Sequence, residues 1–172
     1  MFQPKSHALF NITLTALLAA LTTALTLFGK IPFPMTSEGS VHLGDGMVYV
    51  AACLLPGPYA AAAAAIGCGL ADLTAPAWLP ATIIIKACMA LLFSAKRQKM
   101  LCWRNALALL LAGLVNVGGY YLYEGMVYGE WFAWVSVIGN VLQSCFGAAL
   151  FVLLAAAMDQ LKLRDKFLKW SR

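Results

Sequence analysis

The chain alternates between long apolar segments and short stretches that carry glycine, proline or charged residues. A helix needs about 20 predominantly apolar residues to cross a bilayer, and the first apolar run is longer than the core of a cleavable signal peptide. The pattern predicts an all-α integral membrane protein with six transmembrane helices in a single domain, residues 1–172. The predicted spans cover residues 8–28, 46–55, 59–73, 79–95, 105–123 and 135–158.

The second and third segments are short for a bilayer, so the sequence alone allows six spans or five, with one long kinked span through Pro56-Gly57-Pro58. Charge decides between the two counts, because Lys and Arg favour cytoplasmic loops. With six spans and a cytoplasmic N-terminus, Lys30 is the basic residue that falls outside. The cytoplasmic side receives Lys5, Lys96, Arg97, Lys99, Arg104, Lys162, Arg164, Lys166, Lys169 and Arg172. We therefore predict six spans with both termini in the cytoplasm, and a tight hairpin at Pro56 and Pro58.

The composition excludes most soluble classes of protein. Hydrophobic residues make up 62% of the chain and charged residues 11%, whereas about a quarter of an ordinary soluble domain is charged. The formal net charge of +5 lies at segment ends, where it indicates topology and not a nucleic-acid surface.

Four ionisable residues lie within the predicted spans or at their ends: Asp45, Asp72, Lys86 and Glu124. A charged side chain inside a membrane is costly, so each is a candidate for a functional site. The six-span topology places the three carboxylates at the outer boundary and Lys86 about 10 Å deep from the outside. For Lys86 two interpretations stay open, a ligand contact or a structural ion pair with Asp72 across one external turn.

Two polar stripes follow one face each of spans five and six. Their members recur at helical spacing and are Asn116, Tyr120, Tyr123 and Glu124, then Ser136, Asn140, Gln143 and Ser144. Because neither stripe can face lipid cheaply, both are expected to face the bundle interior, mostly in its outer half. The pattern predicts a pocket that opens outward and is sealed inward. The alternative is that the amide side chains only form hydrogen bonds between helices.

The residues that cluster in this outer half form the predicted ligand-binding set. Its members are His42, Asp45, Tyr49, Asp72, Trp78, Lys86, Asn116, Tyr120, Glu124, Asn140 and Gln143. The aromatic rings are suited to stack on a flat heterocycle, and the polar groups to bind its edges, so a pyridine or pyrimidine derivative is the expected ligand. For His42 a solvated loop position, and for Tyr49 simple packing, remain the alternatives.

Catalytic and metal-binding patterns are missing from the sequence. It has no Walker A loop, no G-x-S-x-G elbow, no H-E-x-x-H pair and no C-x-x-C pair among its five cysteines. Asp45-Gly46 is not followed by further spaced aspartates from which a two-metal site could be built. We expect no enzymatic activity, no bound metal and no cofactor.

Five segments resemble the substrate-binding S components of energy-coupling factor (ECF) vitamin transporters. They are residues 40–59 (SVHLGDGMVYVAACLLPGPY), 67–73 (GCGLADL), 78–91 (WLPATIIIKACMAL), 116–121 (NVGGYY) and 139–144 (GNVLQS). The resemblance covers nearly the whole chain and is strongest to the branch with hydroxymethylpyrimidine- and pyridoxine-type S components.

The resemblance implies a six-helix bundle in the bacterial cell membrane that captures a vitamin or vitamin precursor from outside, with the loop after span one as a lid. It also implies a transmembrane coupling subunit and two ATPase subunits as partners. Ala16, Ala20 and Ala24 form a small-residue stripe at the position that contacts the coupling subunit in that family, although packing within the bundle would also use such a stripe. The alternative functions are a membrane scaffold subunit of cell-envelope machinery with a similar bundle, and an intramembrane enzyme.

Overall fold

The computed structural model describes residues 4–32, 40–95 and 99–163. These residues form six α-helices and one short β-hairpin, so the prediction of a predominantly helical protein is confirmed. The helices are α1 (Pro4–Phe28), α2 (Gly44–Leu54), α3 (Gly57–Ala71), α4 (Leu79–Leu91), α5 (Trp103–Tyr128) and α6 (Glu130–Gln160), and the strands are β1 (Lys30–Pro32) and β2 (Ser40–His42).

Three helical segments in the described part of the chain are long and apolar enough to cross a membrane: His7–Phe28, Trp103–Tyr128 and Glu130–Gln160. Large apolar side chains on the outer helices are exposed, and Leu110, Leu114 and Leu153 each expose 70% of their surface. A large exposed apolar surface of this kind is suited to contact with lipid. Part of the basic cluster that sets the predicted orientation lies outside the described residues, namely Lys96, Arg97, Arg164, Lys166, Lys169 and Arg172.

The chain breaks between α2 and α3 where the sequence predicts a hairpin. Leu55 is extended, with ψ at 150°, because the ring of a following proline disfavours helical geometry in the residue before it. Pro56 is also extended, whereas Pro58 lies in the first turn of α3, where its missing N–H leaves no hydrogen bond unmade.

Helix α2 occupies the centre of the bundle. Each of its residues from Gly44 to Leu54 is buried, and α1, α3, α4 and α6 all contact it. Gly147 lets α6 approach closely, because a Cβ atom at this position would lie 2.8 Å from the Cβ of Asp45. The N-terminal end of α2, with Asp45, is therefore held directly against α6.

The hairpin follows α1 and lies over one end of the bundle. Its strands are antiparallel, with Lys30 opposite His42 and Ile31 opposite Val41. Strand β2 also packs against α6. The sequence predicts this region only as an external loop, and residues 33–39 of that loop lie outside the described residues.

Candidate ligand-binding site

A cavity of about 60 Å³ lies between the hairpin and the adjoining ends of the helices. It is lined from α1, both strands, the turn after α3, α5 and α6. The lining residues are Thr26, Leu27, Lys30, Val41, His42, Ala71, Asp72, Thr74, Trp78, Tyr120, Glu124, Ser136, Gly139, Asn140 and Gln143. Most of the predicted ligand-binding set is among them, and the remaining members, Asp45, Tyr49, Lys86 and Asn116, are not.

Glu124 lies on the cavity wall with only 2% of its surface exposed. The indole N–H of Trp78 donates to its Oε1 at 3.0 Å, and the hydroxyl of Ser136 donates to its Oε2. Trp78 lies at the start of α4, Glu124 on α5 and Ser136 on α6, so the carboxylate joins three elements. Both of its donors are electrically neutral.

Tyr120 separates the cavity from the charged interior. Its hydroxyl lies 2.6 Å from the hydroxyl of Thr82 on α4, and its ring centroid lies 5.5 Å from the Lys86 Nζ. Tyr120 therefore both lines the cavity and lies next to the ammonium group.

Lys86 forms a buried ion pair, and its partner is Asp45. The Nζ atom donates to Asp45 Oδ1 at 2.6 Å and to Asn116 Oδ1 at 2.7 Å, and neither charged side chain is exposed. Lys86 therefore pairs with Asp45, which joins α4 to α2, and not with Asp72 across the external turn. Asp72 instead ends α3 and lines the cavity.

Gln143 connects this ion pair to the cavity. Its Nε2 donates to Asp45 Oδ2 at 3.2 Å, and the same side chain lines the cavity. An ionised carboxylate can only accept, so this contact fixes the amide with its NH₂ group toward Asp45. Asn116 extends the network, because its Nδ2 donates to Ser144 Oγ at 3.2 Å. The ion pair and its amide partners form a polar layer beneath the cavity.

Tyr49 lies in the apolar core and not at the cavity. Its ring centroid is 5.2 Å from that of Phe93 and 6.0 Å from that of Phe151, and 1% of its surface is exposed. The structure therefore agrees with the packing alternative for this residue.

His42 faces the cavity from β2 with a buried ring nitrogen. Within the described residues, its Nδ1 has no hydrogen-bond partner. The pKa of His42 is lowered to about 4, mainly by burial. The negative charge of Asp45 opposes this shift, and the positive charges of Lys86 and Lys30 add to it. The imidazole is therefore neutral near pH 7, and one of its nitrogens is able to accept a hydrogen bond.

Several lining residues were not in the predicted set: Thr26, Leu27, Lys30, Val41, Ala71, Thr74, Ser136 and Gly139. Ser136 belongs to the polar stripe of α6, so the helical spacing alone was enough to include it. The sequence does not mark Thr26 as a polar lining residue, because a threonine in an apolar helix commonly donates to the carbonyl one turn earlier. Thr26 does so here, to the Thr22 carbonyl at 2.8 Å. Lys30 and Val41 reach the cavity only through the hairpin.

Comparison with known proteins agrees with this architecture. The thiamine precursor transporter HmpT of Lactococcus lactis subsp. cremoris (strain MG1363) is 29% identical over 161 residues, which covers 92% of this chain and 93% of the relative. The family model of the ECF-type riboflavin transporter S component matches residues 7–160, a range that includes every residue lining the cavity. The chain therefore belongs to the family of ECF-type riboflavin transporter S components.

Proposed function

We propose that this protein captures a one-ring, pyrimidine-type vitamin precursor for an ATP-driven ECF importer. The observation that carries the proposal is a cavity lined by hydrogen-bonding side chains inside a bundle whose outer helices are apolar. The similarity to a thiamine precursor transporter supports the same class of substrate. S components are substrate-capture subunits and not enzymes, so the cavity binds its ligand without chemical change.

The size of the cavity favours a small ring over a flavin. A volume of about 60 Å³ accommodates roughly four to six water-sized groups. A substituted pyrimidine, with a single ring, is nearer to that size than riboflavin, which has three fused rings and a sugar-alcohol chain. The indole of Trp78 and the ring of Tyr120 supply aromatic surface for such a ring.

The proposed topology has six spans, both termini in the cytoplasm of a bacterial cell, and the cavity facing outward beneath the hairpin. The distribution of Lys and Arg along the sequence supports this orientation. In this arrangement the short helices α2 and α4 cross the membrane only with their neighbours around them. The hairpin then lies where a lid over the ligand is needed.

The first test is to purify the protein in detergent without added vitamin, denature it and identify the released small molecules by mass spectrometry. We expect a pyrimidine compound in near-stoichiometric amount, and thermal stabilisation by added hydroxymethylpyrimidine. Stabilisation by riboflavin alone would contradict the proposed substrate class. An empty protein that responds to no vitamin or precursor would instead favour the scaffold alternative.

The proposed partners are a transmembrane coupling subunit and two ATPases, with which S components of this family work. Ala16 and Ala20 are exposed on α1 and Ala24 is partly buried, so two members of the predicted stripe are accessible to another helix. Small residues allow helices to approach closely in membranes, and this supports docking of the coupling subunit at this face.

Replacing Ala20 with leucine is expected to reduce co-purification with the coupling subunit at least tenfold while leaving ligand affinity unchanged, because the added side chain separates the helices. Ala149→Leu on α6 is the matched control, since it makes the same change at another exposed alanine. Equal assembly of the two variants would exclude this face of α1 as the docking surface.

A further inference from the structure

The Glu124 carboxylate lacks a partner of opposite charge among the described residues. It is 2% exposed, and its contacts are the neutral donors Trp78 and Ser136. Moving a carboxylate out of water costs free energy unless hydrogen bonds or an opposite charge compensate it. A carboxylate offers about four acceptor positions, so two remain after these contacts. Because Glu124 lines the cavity, a ligand is well placed to use them.

Neighbouring groups on the cavity wall also accept hydrogen bonds. Gln143 donates one N–H of its amide to Asp45 Oδ2, and its carbonyl oxygen is an acceptor for a ligand in the cavity. The neutral ring of His42 has a nitrogen without a partner in the described part of the chain. Lys30 is the cationic side chain of the lining and is exposed on the hairpin. These acceptors beside Glu124 suit a ligand edge that donates.

We propose that Glu124 binds an amidine-like edge of the ligand, in which a protonated ring nitrogen and the adjacent amino group each donate to one carboxylate oxygen. The inference rests on the proposed function and specifies its ligand as an aminopyrimidine bound in its cationic form. Two parallel hydrogen bonds between charged groups are shorter and stronger than neutral ones and fix the orientation of the ring. A ring with a carbonyl oxygen in place of the amino group presents an acceptor to the carboxylate and is rejected.

The test compares two probes by calorimetric titration of the purified protein: hydroxymethylpyrimidine with its amino group, and the counterpart in which a carbonyl oxygen replaces that group. The wild-type protein is expected to bind the amino compound at least about 100-fold more tightly, because the mismatched edge leaves buried polar groups unpaired. The comparison needs no variant and therefore does not depend on how a substitution affects folding.

Glu124→Gln removes the charge with little change in shape. Its amide can still accept from Trp78 and donate to Ser136, so the fold is expected to persist. The variant is expected to bind the amino compound about 10- to 100-fold more weakly, because the charge of the carboxylate is lost. Glu124→Leu removes both acceptor oxygens and is expected to distinguish the two probes only a few-fold. Glu130→Gln is the matched control, because it makes the same change at an exposed glutamate that does not line the cavity, and it is expected to keep both the affinity and the discrimination.

Equal binding of both probes by the wild-type protein, or full discrimination by Glu124→Leu, would overturn the inference while leaving the proposed function intact. If the wild-type protein binds neither probe, the proposed function is wrong and the inference is overturned with it. Preference for the amino compound that disappears in Glu124→Leu but not in Glu130→Gln supports both.

Discussion

Replacing Lys86 with methionine is expected to lower the free energy of unfolding by about 3–5 kcal/mol, the typical effect of removing one partner from a buried ion pair. Methionine fills nearly the same volume, so the loss comes from the charge. The variant leaves the Asp45 carboxylate with no exposed surface and no cation within 4.0 Å in the described part of the chain. It also leaves the Asn116 carbonyl oxygen without its donor at 2.7 Å.

Unfolding of the detergent-purified protein by denaturant, with and without ligand, measures this effect. Adding Asp45→Asn to Lys86→Met is expected to recover most of the loss, because an asparagine at this position can still accept from Gln143 and is uncharged. Lys162→Met, at an exposed lysine, is the control and is expected to change stability by about 0.5 kcal/mol or less. If Lys86→Met were as stable as the wild-type protein, the pair would not be a structural element.

Replacing Trp78 with alanine is expected to weaken ligand binding by about 2–4 kcal/mol, or roughly 30- to 1000-fold, as for tryptophan at the centre of other binding sites. The indole lines the cavity, stacks on Tyr128 with ring centroids 5.5 Å apart, and donates to Glu124. The variant therefore removes aromatic surface and releases the carboxylate at the same time.

Two variants separate these contributions when affinity is measured by titration calorimetry. Trp78→Phe keeps an aromatic face but not the N–H donor, and is expected to lose about tenfold in affinity. Trp131→Ala removes an indole that is 83% exposed, and is expected to bind normally. Normal affinity of Trp78→Ala would show that the ligand does not contact this side of the cavity.

The sequence was most informative where helical spacing decides which residues share a face. The spacing on α5 predicts that Asn116, Tyr120 and Glu124 face inward, and all three are buried. The spacing could not identify the carboxylate that pairs with Lys86. The sequence indicated only Asp72, which flanks the same external turn, whereas the structure pairs Lys86 with Asp45. That pairing depends on how closely α2 approaches α4, which is a property of tertiary packing.

Tertiary packing also explains why the sequence did not predict the position of Tyr49 or the contribution of the hairpin. Every side of α2 is buried, so periodicity does not distinguish the side with Asp45 from the side where Tyr49 packs on Phe93. The strands of the hairpin have three residues each, which is too short to produce an alternating pattern. The contributions of Lys30 and Val41 to the cavity follow from the pairing of these strands.

The complete burial of α2 has a consequence for how the protein is made. Asp45, the second residue of α2, would lie unshielded at the edge of the hydrocarbon if α2 left the translocon alone. Insertion scales place the cost of an aspartate at a helix centre at roughly 2.5–3.5 kcal/mol, which is an upper limit for this position. Lys86 is synthesised 41 residues later, and α6, which completes the enclosure, is synthesised last. Early helices must therefore wait in a sheltered or partly inserted state until the C-terminal helix arrives. A chain that stalls before α6 is expected to be recognised by membrane proteases, because the Asp45 end of α2 is still uncovered.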